Sequence, residues 1–579
     1  MFADWMYIRM KLSEVEQLIN IMMNKKKIFS LLSAFLFVSV AFASSNGKGI
    51  DYYRAGLYGA AKIFFTSQSY QSAGDQAESY YYLGLIAYDT NDMDQAIQAF
   101  EKAAETDPTY PFGLIGQGKI ALYKGNKKEA EDLFKKAGNL AKKNPAIQTE
   151  IAAVYVDAGM NAEANKALEK ARTINKKYSG IYMVEGDILA KAQEIGDAAA
   201  RYENAIVFDK NDKIAYLKLA RVYKSVNPTM SLNYLDRLIT IDPDYIPAYA
   251  EIGDINYSTG YYGRAIDAYE KFISIPGVPL KQQSNYAELL YFTDQYEKSL
   301  QQINTVLRQE PDNLIMFRIR AYNNFKLKNY DLALQEMLDF LGKMSEDKHI
   351  YLDYMTLGRT YMELKQPENA ITAFIKAGEI DDTKLVDVYR ELTTAYENAK
   401  DYPNAIITYD KYFETSDNIQ PLDYLYYGQD NYQAVAKYMD KVLNGSVEEE
   451  AIYMDSLNYY AAKGEQAFTK LTELRPDSYH GYLWRANINS ILDAVEYAKT
   501  EKMSGKAKPY FEEAIEVMIG LNENGARNRD IISGYDYLSN YYFIAGDTSM
   551  TIEYNKKILE LDPENAKAKQ TLEALKVKY

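Results

Sequence analysis

The chain has 579 residues, no cysteine and only two histidines, with 81 acidic against 66 basic side chains for a net charge of −15. This inventory excludes disulfides, thiolate metal sites and cysteine nucleophiles, and it argues against a nucleic-acid groove, which needs a basic stripe. At 47% hydrophobic and 25% charged the composition is that of a folded protein, with tyrosine, at 55 residues against two tryptophans, as its outlier.

Residues 24–43 read NKKKIFSLLSAFLFVSVAFA. A basic start (Lys25, Lys26, Lys27), an apolar run from Ile28 to Val40 and the small-x-small triplet Ala41-Phe42-Ala43 stand in the order of a secretory signal peptide. The run is short for a membrane span. Residues 23–43 are therefore expected to be a signal cleaved before Ser44, with an uncleaved membrane anchor as the alternative. Residues 1–22 read as an over-long start, since Met22 or Met23 would be a natural first residue. No later stretch reaches the roughly 18 consecutive apolar residues of a membrane helix, so no span is expected after signal removal.

Residues 44–76 suggest a degenerate N-terminal hairpin with Ala60, Ala61, Phe64 and Phe65 as its apolar content. From Ala77 a unit begins that the chain then repeats. Ser79 to Tyr110 reads SYYYLGLIAYDTNDMDQAIQAFEKAAETDPTY. Tyr80, Leu83, Gly84, Ala87 and Tyr88, and then Ala96, Phe100 and Ala103, recur at spacings of three and four, as on one buried helical face. A polar break from Asp89 to Met93 separates the two runs, and Asp107-Pro108 ends the second, because proline cannot continue a helix. The same places are filled by Gly118, Gly125, Ala130, Phe134 and Ala137, by Tyr249, Gly253, Gly260, Ala265, Tyr269 and Phe272, and by Tyr354, Gly358, Tyr361, Ala370, Phe374 and Ala377. Pro243 and Pro311 stand 68 residues apart, two periods of 34. The small residue of the first helix and the alanine of the second let the helices approach, and the large residue four positions later fills the space between them. The regular array is expected over 77–420. Short or drifted hairpins are expected over 421–480, further units over 481–563 with an insertion near 492–507, and a capping helix over 564–579.

A helix–turn–helix period of 34 resembles the tetratricopeptide repeat (TPR). The resemblance runs from about Asp51 to the C-terminus and implies an all-α, right-handed superhelical solenoid of about 12–13 hairpins. In that family the first helices line a concave groove, through the positions three before, one after and four after the small residue. Carried over in the phase of Gly84 these are Tyr81, Leu85 and Tyr88, and in the phase of Gly253 they are Ala250, Asp254 and Tyr257. In the phase of Ala287 they are Ser284, Glu288 and Tyr291, in that of Ala321 Arg318, Tyr322 and Phe325, and in that of Gly358 Met355, Arg359 and Met362. The candidate binding residues are therefore Tyr81, Tyr88, Asp254, Tyr257, Tyr291, Arg318, Tyr322, Phe325 and Arg359. Tyr88, Tyr257, Tyr291 and Phe325 share one position and are expected to form an aromatic ridge; the other reading packs their rings as core. The lysine–asparagine clamp with which some members hold a C-terminal carboxylate is not matched, since Leu85 and Gly118-Lys119 stand where it should begin.

No phosphate loop, H-E-x-x-H or G-x-S-x-G motif occurs. His349 and His480 lie 131 residues apart and are expected at the surface. No catalytic residue, cofactor or metal ligand is assigned. The reading is a non-catalytic protein–protein interaction scaffold that holds another protein or an extended peptide in its groove. Alternatives are an accessory factor or enzyme acting on envelope polymers, or a glycan binder using the groove tyrosines. The export signal and the repeats are similar to secreted TPR proteins of Bacteroides-like bacteria. GYLWRA at 481–486 and AKPY at 507–510 carry a looser likeness to the C-terminal part of such proteins. That likeness implies the periplasm and an envelope-associated partner.

Overall fold

A computed structural model describes residues 46–67 and 72–578. The expected signal at 23–43 and residues 1–22 lie outside the described residues. Helices and turns make up the fold, with no strand among the described residues. None of these helices is long and apolar enough to cross a membrane. The chain divides into two compact units, Met1–Asp312 and Asn313–Tyr579, where the sequence presents one continuous array.

The first unit stacks eight hairpins in chain order. They are α1 and α2 (Gly47–Arg54, Tyr58–Ser67), α3 and α4 (Ala73–Asp89, Met93–Thr106), α5 and α6 (Pro111–Tyr123, Lys127–Leu140), and α7 and α8 (Pro145–Asp157, Asn161–Asn175). They continue with α9 and α10 (Ser179–Lys191, Ile195–Phe208), α11 and α12 (Lys213–Tyr223, Pro228–Ile241), α13 and α14 (Ile246–Ser258, Tyr262–Phe272), and α15 and α16 (Leu280–Phe292, Tyr296–Gln309). Local chemistry sets these ends. Asp92, Asn144, Asp212 and Asn227 accept from backbone N–H groups in the first turn of the helix each precedes, satisfying donors the helix itself leaves unpaired. The tight turn between the helices of a pair repeats one left-handed residue, at Asn91, Gly125, Gly159, Gln193, Gly260 and Asp294. Glycine takes that conformation without strain, and at Gly125 and Gly260 φ is 79°.

Between the helices, small meets large. Ala96, Ala130, Ala164, Ala198, Ser231, Ala265, Ser299 and Ala333 stand 33 or 34 residues apart, and each is fully buried. Across from the small residue of the first helix lies an aromatic ring 16 positions later. A Cβ built on Gly84 would stand 2.5 Å from the Phe100 ring, and one built on Gly253 would stand 2.5 Å from the Tyr269 ring. The same crossing recurs at Gly118–Phe134, Gly186–Tyr202 and, in the second unit, Gly358–Phe374. Because each hairpin buries its apolar face on its neighbours, the core of the first unit is a string of local clusters and not one central mass.

The second unit holds α17 and α18 (Leu314–Lys326, Tyr330–Lys343), α19 and α20 (Tyr351–Glu363, Pro367–Ile380), and α21 and α22 (Leu385–Asn398, Tyr402–Thr415). A 3₁₀ turn at Glu346–Lys348 lengthens the local period. Where short drifted hairpins are expected, the chain forms one long hairpin, α23 (Pro421–Asn444) and α24 (Val447–Leu474), of 24 and 28 residues. It keeps the small–large crossing, Gly428 against the Phe468 ring, now 40 positions apart because both helices carry extra turns. α25 (Tyr479–Thr500) and α26 (Lys508–Gly520) follow, then α27 (Asn528–Ile544), α28 (Thr548–Leu561) and α29 (Ala566–Ala574). Over 492–507, where an insertion is expected, α25 continues to Thr500 and a loop follows. Buried Asp493 ties that loop down, accepting from the N–H groups of Lys506 and Ala507, both at 2.8 Å. His349 departs from expectation. It is 9% exposed, with Nδ1 3.1 Å from the Tyr354 hydroxyl and Nε2 3.2 Å from the Met344 carbonyl oxygen. The extra turn before α19 folds it inward. His480 is exposed and pairs with Ser478.

Candidate binding groove

In the first unit the first helices of consecutive hairpins touch directly, α3 on α5, α5 on α7, α7 on α9, and α13 on α15. In the second unit α17 meets α19 and α19 meets α21. One face of each first helix is thereby set beside the next, and residues one period apart become neighbours. Bonds that cross this face join one repeat to the next. Lys119 Nζ lies 2.7 Å from Asp157, which also receives Lys191 at 3.1 Å. Lys218 pairs with Asp187 at 2.5 Å. Glu251 takes Arg221 at 2.6 Å and Lys224 at 2.8 Å.

The charges of these rungs hold each other. Burial pushes the Asp157 carboxyl up, but Lys119 and Lys191 outweigh it and hold Asp157 below the usual carboxylate range. Burial likewise lowers the Lys119 ammonium, and Asp157 beside it more than restores it. Glu251 is held low in the same way by Arg221 and Lys224.

The nine candidate residues fall into two groups. Tyr81 and Tyr322 are 2% and 3% exposed and offer no ring to solvent, so the expectation of open groove contacts is corrected at both. Tyr81 lies among the rings of Tyr82, Phe100, Tyr110 and Phe112 and donates its hydroxyl to Glu150 at 2.6 Å. Its position, three before the small residue, is pressed against the following repeat, as are Ala250 and Met355 at other phases. Tyr322 donates to buried Asp353. The other seven are half-buried. Arg318 donates to Asp353 at 3.0 Å and to the Lys348 carbonyl at 2.8 Å. Arg359 reaches Glu391 at 2.7 Å.

Of the expected aromatic ridge, Tyr88, Tyr257 and Tyr291 lie in the first unit and Phe325 in the second. Tyr88 carries the Lys119 ammonium 4.4 Å over its ring and meets Tyr123 edge-on. Tyr257 donates to Glu288 at 2.7 Å, and burial together with Glu288 pushes its phenol above the usual range. Tyr291 sits against Phe292 and Tyr296, and Phe325 against Tyr330. Asp254 accepts from the Tyr269 hydroxyl at 2.7 Å and from Lys224 at 3.0 Å. The structure thus brings Asp254, Tyr257, Glu288 and Tyr291 onto the adjoining helices α13 and α15. Tyr88 stands five repeats away.

Sequence reasoning missed two features. One is a carboxyl pair in the second unit, half-buried Glu397 on α21 and buried Asp430 on α23. Burial, with Glu397 beside it, pushes the Asp430 carboxyl well above the carboxylate range. Carboxyl pairs of this kind can serve acid–base chemistry, but Asp430 lies buried between helices against Tyr409. The other is that the first unit's groove is not empty. Asp51 and Ala55 of the N-terminal hairpin reach Lys213 and Arg221 of α11. A signal for this was present: the segment is apolar on more than one side, with Tyr52, Tyr53, Leu57, Phe64 and Phe65, where a terminal cap meeting water would be polar.

Models of the tetratricopeptide repeat match residues 77–110, 246–277 and 354–384. These segments correspond closely to the hairpins α3/α4, α13/α14 and α19/α20. Among curated proteins the chain is similar to a TPR repeat-containing protein of Methanocaldococcus jannaschii, 23% identical over 389 residues. The alignment spans 64% of this chain and 64% of that relative's length. Among solved structures it is similar to the C-terminal part of a TPR repeat-containing protein from Cytophaga hutchinsonii. That match is 26% identical with a TM-score of 0.37, over 50% of this chain and 99% of the other. A tetratricopeptide repeat protein from Parabacteroides merdae matches at 18% identity and TM-score 0.28, over 43% of this chain and 98% of its own.

Proposed function

We propose that this chain, which carries tetratricopeptide repeats, is a non-catalytic scaffold of the bacterial cell envelope that holds a protein or an extended peptide on its concave face. Tetratricopeptide repeats generally serve protein–protein interaction, and the observation that carries the reading here is the patch on α13 and α15. Asp254, Tyr257, Glu288 and Tyr291 stand half-buried on adjoining first helices, with acceptors and phenol rings at one face. Tyrosine gives a large contact area and a polar tip at low entropy cost. A main chain laid across such a face would find both stacking surface and hydrogen-bond partners. The envelope assignment is supported by the export order of residues 23–43, and the net charge of −15 does not suit a nucleic-acid partner.

The test is made in the native host. The chain is expected in the periplasmic fraction with Ser44 as its first residue. A photo-reactive phenylalanine analogue at position 291 is expected to cross-link to one discrete envelope protein. The same analogue at Val207, 67% exposed on a second helix, is expected to give no such band. A chain retained in the cytosol with residues 1–43 intact would refute export. Identical adducts from both positions would refute binding at the concave face.

A further inference from the structure

The N-terminal hairpin makes two kinds of contact. With α3 it packs as a preceding repeat would: Phe65 stacks on Tyr82, centroids 5.6 Å apart and rings 8° from parallel, and Asn46 Nδ2 donates to the Asp75 carbonyl at 2.8 Å. The other contacts reach much further along the chain than one period. Asp51 pairs with Lys213 at 2.5 Å, across 162 residues. Arg221 donates to the Ala55 carbonyl at 2.8 Å, across 166. The backbone of Gly59 touches that of Gly277, where a Cβ on Gly277 would stand 2.6 Å from the Gly59 carbonyl carbon. Ala55, Leu57 and Ala60 are buried in the same apolar cluster as residues of α9 to α15.

One 22-residue segment, 46–67, therefore touches α3, α11 and the turn at Gly277, lying along first helices where a ligand of a helical groove lies. Its long-range contacts are one ion pair, a hydrogen bond from an arginine side chain to a main-chain carbonyl and a glycine-to-glycine backbone approach around a small apolar centre. That is the make-up of a separable interface, with a few desolvated anchors and a polar rim.

We infer that residues 46–67 are a tethered ligand of the first unit's concave face, and that the face accepts a helical segment of the same chemistry when the tethered one leaves. That chemistry is a carboxylate followed by small and apolar side chains, as in Asp51, Ala55, Leu57 and Ala60, received by Lys213, Arg221 and the apolar cluster around them. The inference goes beyond the proposed function, since it needs no envelope partner. A tethered occupant competes at an effective concentration on the order of millimolar, so a free segment gains entry only once the tethered one is weakened.

The full chain with Asp51→Cys and Leu57→Ala tests this, because the first removes the ion pair to Lys213 and the second a buried anchor of the hairpin, and both leave the groove wall intact. The probe is a labelled peptide of residues 46–67 with the unaltered sequence. The variant is expected to bind it at least tenfold more tightly than the unaltered chain. The chain has no cysteine of its own, so a short thiol-to-amine linker can join the single thiol introduced at position 51 to Lys213, with the joined pair identified by mass spectrometry. Joining is expected to abolish peptide uptake. Equal uptake by both chains, no uptake by the variant, or uptake that survives the link would each overturn the inference. So would loss of hydrogen-exchange protection from α3 to α16 in the variant, which would make the hairpin an integral layer of the stack.

Discussion

Phe100→Ala is expected to cost about 3–5 kcal/mol, the usual loss for emptying a buried aromatic site, and to do so locally. The Phe100 ring is fully buried. It lies against Gly84 of its own hairpin and Gly116 of the next, both of which would clash with it if they carried a Cβ. Removing the ring opens a cavity that two glycines cannot fill, so the site does not collapse onto it. Because hairpins couple mainly to their neighbours, amide exchange should rise over α3 to α6 and stay unchanged over α13 to α16. Uniform loss of protection along the first unit would speak against nearest-neighbour stacking.

Asp353→Ala is expected to have a comparable effect in the second unit, about 3–5 kcal/mol, because it strands a partner charge. Asp353 is fully buried. It accepts from Arg318 Nη2 at 3.0 Å, from the Ile350 N–H at 2.8 Å and from the Tyr322 hydroxyl. Alanine would leave a largely buried guanidinium, a phenol and a helix-start N–H without their acceptor. Asp353→Asn keeps an acceptor but not the charge, and should fall between alanine and the unaltered chain. Urea unfolding of the three chains, with exchange measured over α17 to α20, reads this directly. An alanine variant as stable as the unaltered chain would return Arg318 and Tyr322 to the binding surface.

Those two substitutions also show where the sequence was legible. The crossing of Gly84, Ala96 and Phe100 could be read because it depends on contacts within one hairpin, and such contacts repeat with the period. The turn glycines Gly125 and Gly260 were legible for the same reason. The groove was legible only in part. Which first-helix position faces solvent depends on how far each hairpin rotates on the next, and that rotation presses Tyr81 and Tyr322 into the inter-repeat layer while Tyr257 and Tyr291 stay at its edge. The long hairpin of α23 and α24 was obscured because its small and large partners, Gly428 and Phe468, are separated by helical turns the period does not contain. The docking of Asp51 and Ala55 left only the apolar surplus of its own segment as a trace, and its partner was not legible. It joins segments more than 160 residues apart, and no local pattern records a contact between the start of a solenoid and its inner wall.

The claim that the concave face binds is tested most directly by changing Tyr257 and Tyr291 to alanine together, then measuring both the thermal midpoint and the affinity for the protein cross-linked from position 291. Both rings are half-buried at the edge of the stack, so the midpoint should fall by no more than about 4 °C. If the two rings anchor a partner, affinity should fall by about 30-fold or more, corresponding to the roughly 2 kcal/mol typical of an anchoring aromatic. Unchanged affinity, or a midpoint that collapses with it, would contradict a binding role for this face.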